Sequence, residues 1–211
     1  MTGAGLRVGV DLDNTIVCYD RLFHDLAVER GLIGDAVAPT KTAVRARLCA
    51  AGREDVWTEL QGEAYGPRMR DAMPFDGVRE FFAACARTGV DAYIVSHRSR
   101  HPYAGPPHDL HESARRWLAA ASLPCAGADA TDRAFLEIDR DAKARRIAEL
   151  GCTHFVDDLA DFLAEPSLPA SMVRVHFDPA GASAPGRAAA ELVGASSWRD
   201  VSRVILGEAP A

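Results

Sequence analysis

The sequence predicts an α/β fold: a parallel sheet covered by helices on both faces, carrying a small α-helical cap. Three observations predict it. Short apolar runs alternate with longer amphipathic segments from Pro74 almost to the end of the chain, the rhythm of a parallel sheet with crossover helices. The first run, Val8–Val10, breaks abruptly into charge at Asp11, as a central strand does where it emerges from cover. Between that run and Pro74 three amphipathic segments follow one another with no strand between them.

Bulk properties narrow the field. The chain has 211 residues, 48% of them hydrophobic, which suits one domain with a proper core and excludes collagen, coiled-coil and disordered chains. Lys+Arg 24 against Asp+Glu 30 gives a net charge of −6. Such a balance attracts neither a nucleic-acid polymer nor an anionic membrane. The five cysteines, Cys18, Cys49, Cys85, Cys125 and Cys152, include no CxxC pair and are expected to be reduced, mostly core-filling thiols of a cytoplasmic protein. No apolar run of about 18 residues is present to span a bilayer, and no basic segment followed by an apolar one opens the chain. A soluble, unsecreted protein with no membrane partner is expected.

Taken in order, "LRVGV" is the first strand. "YDRLFHDLAVERGLI" places Leu22, Leu26 and Ile33 with Phe23 and Ala27 at helical spacing, with Gly31 to cap it. "PTKTAVRARLCAAG" puts Val44, Leu48 and Ala51 on one face. "EDVWTELQGEAYGP" does the same with Val56, Trp57 and Leu60 before stopping at Gly66 and Pro67. Together these make a unit of roughly 55 residues, too small to sustain a core alone, so it is expected to lean on the main body. The predicted division is 1–16 and 74–211 for the main body and 17–73 for the cap. Beyond Pro74, "DGVREFFAACARTG" reads as a helix and "VDAYIVS" as a strand. "DLHESARRWLAAA" is a helix whose Asp109 and Glu112 have capping-box spacing. "RDAKARRIAELG" is a helix, "THFVDD" and "SMVRVHF" are strands, and "WRDVSRVIL" is a last helix after a loop rich in Pro, Gly and Ala. The whole describes a Rossmann-like arrangement.

In such sheets ligands bind beyond the carboxyl ends of the strands. The polar residues at those ends are Asp11 and Asp13, Ser96, and Asp157 with Asp158, joined by Lys143 near the start of the helix before "HFVDD". Several carboxylates at one point repel strongly unless a cation compensates them, and an all-oxygen set suits Mg²⁺ with room for a phosphate oxygen.

"DLDNT", a strand-terminal serine, a lysine and then "DD", in that order, resemble the four motifs of the haloacid dehalogenase (HAD) superfamily. The resemblance runs from Val8 to about Phe177, and 17–73 stands where that superfamily inserts its small C1-type cap. It implies a Mg²⁺-dependent phosphatase. By that resemblance Asp11 is the nucleophile that becomes an aspartyl phosphate. Asp13 is the general acid and then base, with its backbone carbonyl on the metal. Ser96 and Lys143 steady the transferring phosphoryl group, and Asp11, Asp13, Asp157 and Asp158 form the metal site, with Asp161 as a possible helper. An acid two residues after the nucleophile is needed to release an alcohol, not a halide, so Asp13 favours a phosphatase over a dehalogenase. Asn14 stands where many members have glycine; Asn tolerates the unusual backbone angles of such a turn.

His97 and Arg98 follow Ser96 directly and are expected to touch substrate. Lys41, Arg45, Trp57, Tyr65 and Arg68 are the cap residues able to read the leaving group. His97, His101, His108 and His111 match no tight zinc pattern. The favoured partner is a small phosphorylated metabolite. The alternatives are a 5′- or 3′-phosphatase of nucleotides or nucleic-acid ends, a catalytically silent phosphate-binding protein, and a receiver-like signalling module; a receiver would place its acid pair before the phosphorylated aspartate.

Overall fold

The computed structural model describes residues 5–125, 128–181 and 192–207. The elements in chain order are β1 (Arg7–Val10), β2 (Val17–Cys18), α1 (Asp20–Glu29), α2 (Lys41–Ala50), α3 (Glu54–Tyr65), β3 (Met73–Pro74), α4 (Val78–Thr88), β4 (Asp91–His97), α5 (Leu110–Ala121), β5 (Pro124–Cys125), β6 (Ala128–Asp129), β7 (Ala134–Glu137), α6 (Arg140–Glu149), β8 (His154–Asp157), α7 (Ala160–Leu163), β9 (Val173–Phe177), β10 (Val193–Ala195) and α8 (Trp198–Leu206). Six strands form one sheet in the order β10-β9-β8-β1-β4-β7. Every pairing in it is parallel.

That order positions the site. β1 is flanked by β8 on one side and β4 on the other, with Val10 level with both Val156 and Ile94. The chain therefore leaves three adjacent strands at one rim, which puts Asp11, Ser96 and Asp157 side by side. The strand order reverses at this point, which opens a crevice there.

Val8 and Val10 are fully buried, whereas Gly9 has no side chain because none fits. A Cβ there would lie 2.5 Å from a ring carbon of Phe155 on β8. The missing methyl lets the Phe155 ring cross β1, where it becomes part of the floor of the site.

The three helices of 17–73 form as their apolar spacing predicts, α2 beginning at Thr40, whose side chain accepts from Ala43 N. The antiparallel pair β2 and β3, with Val17 opposite Pro74 and Cys18 opposite Met73, pinches the two ends of this segment together. Its two-residue strands are too short to leave a period in the sequence. Phe23, Leu26, Val44, Leu48, Trp57 and Leu60 belong to the same buried cluster as Ile16, Met69, Phe81 and Trp117, so the helices share a core with the sheet.

Two local expectations are corrected. Asp109 does cap α5, accepting from Glu112 N at 2.9 Å, but the Glu112 carboxylate pairs with Arg116 one turn on instead of closing the box. β7 was not anticipated: each of its four residues is only half-buried at the sheet edge, so no continuous apolar run announces it. The Pro-, Gly- and Ala-rich loop before the last helix falls largely outside the described residues. α8 docks through Trp198, which is buried against Phe81 and Phe177 and donates its indole N–H to the Thr15 carbonyl. No helix among the described residues is long and apolar enough to cross a membrane. Cys85 and Cys152 are buried, and burial pushes each thiol up to about 12.

Candidate active site

The site is organised around a buried ammonium. Asp139 caps α6 by accepting from Ala142 N at 2.7 Å, and the first turn carries Lys143 inward, where its side chain is fully buried. Nζ donates to Asp11 Oδ1 at 2.6 Å and to Asp157 Oδ2 at 2.7 Å. It also faces the rings of Phe162 and Phe155, 4.4 and 5.3 Å from their centroids. Burial alone would lower the Lys143 pKa, but Asp11 and Asp157 more than reverse this and hold it above the usual lysine range. A desolvated cation of this kind is tolerable only because two carboxylates and two ring faces receive it.

Asp11, Asp157 and Asp158 each offer a carboxylate oxygen, all within 4.8 Å of one another. Two full charges at that separation repel by about 3 to 4 kcal/mol at an effective dielectric of about 20. One lysine cannot neutralise three acids. Burial, followed by its acidic neighbours, raises Asp158 to about 8; burial raises Asp11 to about 7 despite Lys143.

The oxygens are not equivalent. Asp157 gives Oδ2 to Lys143 and takes Leu159 N on Oδ1 at 2.9 Å, so both are engaged. Asp11 Oδ1 is held by Lys143, which leaves Oδ2 as its open oxygen. The Asp158 carboxylate takes no hydrogen bond among the described residues. These three could hold a divalent cation: opposite ligands of a six-coordinate ion at about 2.1 Å stand about 4.2 Å apart, close to the observed span. Ser96 Oγ is buried with no hydrogen-bond partner among the described residues, a hydroxyl whose donor is uncommitted there.

Asp13 stands apart from that trio. Its Oδ1 accepts from the Tyr19 hydroxyl at 2.6 Å and from Arg98 at 3.3 Å. Burial and the Asp13 charge push Tyr19 well above the usual phenol range, so it remains a donor. Arg98 also donates to the Leu110 carbonyl at 3.3 Å, and its guanidinium lies 5.8 Å from the Tyr65 ring centre. His97 stacks on Phe162 at 6.2 Å; burial first, then Lys143, lowers its pKa, which keeps it neutral near pH 7.

Asn14 has φ +60, the left-handed turn that Asn accommodates. Its Oδ1 accepts from Lys41 Nζ at 2.9 Å, tying α2 to the loop after β1. Lys41 is held above the usual range: burial opposes its charge, but Tyr65, Asp158 and Asp13 outweigh it.

The remaining sequence candidates divide. Asp161 is exposed with its carboxylate on Arg140 at 3.0 Å and is not one of the three acids that converge. Trp57 stacks on Phe23 inside the core. Arg68 is a strut between Glu29 and Asp71. The four histidines do not converge, since His111 bonds the Arg98 carbonyl and His101 the His108 carbonyl. Two functional contacts escaped the sequence: Tyr19 on Asp13 and, from 27 residues away, Lys41 on Asn14, neither of which leaves a periodic signal.

Two cavities flank the acids. One, of about 260 Å³, is bordered by Asp13, His97 and Arg98. The other, of about 400 Å³, is bordered by Asn14, Lys41 and Asp158. Fold and site together define a parallel α/β protein with an acidic, lysine-anchored cleft at its topological switch point. No family model and no curated protein matches the chain. Among solved structures, it is similar over 95% of both chains to a HAD family hydrolase from Deinococcus radiodurans R1 with bound phosphate and sodium, at 17% identity and a TM-score of 0.56. It is also similar to a haloacid dehalogenase-like protein of unknown function from Agrobacterium tumefaciens (15%, 96% of this chain and 99% of that one, TM-score 0.56). An L-2-haloacid dehalogenase matches at 13% over 95% and 98% of the two chains, with a TM-score of 0.53. The chain has the fold of the haloacid dehalogenase superfamily.

Proposed function

We propose that this protein is a Mg²⁺-dependent phosphomonoesterase acting on a small phosphorylated metabolite. The observation that carries the reading is the division of labour among the acids: Asp11, Asp157 and Asp158 cluster, the first two on Lys143, while Asp13 is held separately on the wall of a cavity. Asp11 Oδ2 attacks phosphorus as the bond from phosphorus to the leaving oxygen breaks. Asp13 delivers a proton to that oxygen. Lys143 and Ser96 Oγ donate to the charge that builds on Asp11 and the phosphoryl oxygens. In the second half Asp13 takes a proton from water, whose oxygen attacks phosphorus and frees Asp11. Asp11, Asp157 and Asp158 would hold a divalent cation, which would supply charge neutralisation. Asp158, whose carboxylate no donor occupies, is the ligand best placed to receive it, with Asp157 anchoring the lysine. The Deinococcus structure, with phosphate bound, supports a phosphoryl ligand on this fold.

A dehalogenase is the second reading, favoured by the haloacid dehalogenase among the similar structures. The test is to supply a p-nitrophenyl phosphate and a 2-chloro acid in parallel. Phosphate release that EDTA stops and Mg²⁺ restores is expected, with no chloride release. Chloride release without phosphate release overturns the proposal.

A further inference from the structure

Resting on that reading, we infer that the 260 Å³ cavity beside Asp13 is the leaving-group pocket and that it takes an uncharged alcohol bearing a planar ring. The leaving oxygen must lie where Asp13 can protonate it, and Asp13 borders this cavity while Asp158 borders the other. The occupant is small, because the volume falls below the ~300–1,000 Å³ of ordinary ligand pockets.

Its walls say what kind of alcohol fits. Arg98 is the one cation of the lining, and Asp13 already answers its charge, so nothing there receives a second anionic group. Polar atoms of the lining still open are the Gln61 amide, half-buried and without a hydrogen-bond partner among the described residues, with a donor and an acceptor on one edge, and His97 Nδ1 and Arg98 Nε, both buried and likewise unpartnered there. At the mouth stands Tyr103, 91% exposed, a ring with free faces, unlike Tyr65, which has Lys41 and Arg98 against it.

Tyr103 is placed there by the fold. A Cβ on Gly62 of α3 would meet Ala104 O and Pro102 Cβ at 2.8 Å each; one on Gly66 would meet first the Gly62 carbonyl at 2.6 Å and then His108 Cβ at 3.1 Å. These two glycines let the segment after β4 lie directly on α3. An aromatic ring carried to the mouth and open hydrogen-bonding groups in the lining are the chemistry that recognises a flat, neutral, hydrogen-bonding ring such as a nucleobase.

The test compares kcat/KM for adenosine 5′-monophosphate, glycerol 3-phosphate and phosphoglycolate, with p-nitrophenyl phosphate as reference, in wild type, Tyr103→Ala, Gln61→Ala and Arg45→Ala. Wild type is expected to prefer the nucleotide over both others by at least about tenfold, and Tyr103→Ala and Gln61→Ala to collapse that ratio. Preference for phosphoglycolate, lost in Arg45→Ala, overturns the inference by placing a second anion on the exposed cap arginine. A nucleotide preference that survives both pocket substitutions also overturns it. Release of no phosphate even from p-nitrophenyl phosphate defeats the phosphatase reading itself, and the pocket assignment with it.

Discussion

At the scale of single residues, the site depends on which oxygen each acid leaves open. Lys143 fixes Asp11 by Oδ1 and Tyr19 fixes Asp13 by Oδ1, so each presents its other oxygen. The Tyr19 contact makes a specific prediction. Tyr19→Phe keeps the ring packed against Tyr65 and Phe23 and removes only the donor on Asp13. If Asp13 protonates the leaving oxygen, kcat for an alkyl phosphate falls by about tenfold or more, while kcat for an aryl phosphate, whose leaving group needs little protonation, falls far less. Equal losses on the two substrates would show that Tyr19 merely supports the fold. Asp11, Asp13, Ser96 and Asp157 were legible because each follows an apolar run at a strand end. Tyr19 and Asn14 were not, because a single side-chain hydrogen bond, to Asp13 in one case and to the distant Lys41 of α2 in the other, leaves no period. Arg98 was flagged as a substrate contact, and the structure shows its hydrogen bonds directed to Asp13 and the Leu110 carbonyl.

Among elements, the ends of β1 and β8 concentrate negative charge that α6 only partly offsets. Asp11 titrates at about 7 and Asp158 at about 8 in the folded protein, against about 3.9 for an unfolded aspartate. The folded state therefore holds protons that the unfolded state has already lost, and stability falls as pH rises from about 4 to about 8. In EDTA, Tm is expected to decline across that window. Added Mg²⁺ should raise Tm most at the alkaline end, since its ligands must be deprotonated. Asp158→Asn should flatten the decline. A Tm that climbs between pH 5 and 8 in EDTA would mean that the acids are already compensated. Strong periodicity made the long helices and β4, β8 and β9 readable. The two-residue strands and half-buried β7 carry too few residues for any pattern, and for β2, β3 and β7 only the pairing of distant chain segments creates them.

For the molecule as a whole, the sheet order β8-β1-β4 converts four separate stretches of sequence into one cleft. Motif order along the chain was visible in the sequence; the convergence itself, and the split of the cleft into two cavities, depends on how α2 and α3 pack over the rim. Gly9 and Gly62 illustrate why: each is needed for a close approach by a residue far away in sequence, which no local pattern reports. The central claim is that Asp11 forms a covalent bond to phosphorus, and the most direct measurement is to acid-quench turnover of a phosphate monoester with Mg²⁺ and map the phosphoryl group by mass spectrometry. The account predicts an acyl phosphate on Asp11 in wild type that is absent from a folded Asp11→Asn variant. Turnover with no phosphoryl group on Asp11, or turnover undiminished in Asp11→Asn, would contradict it.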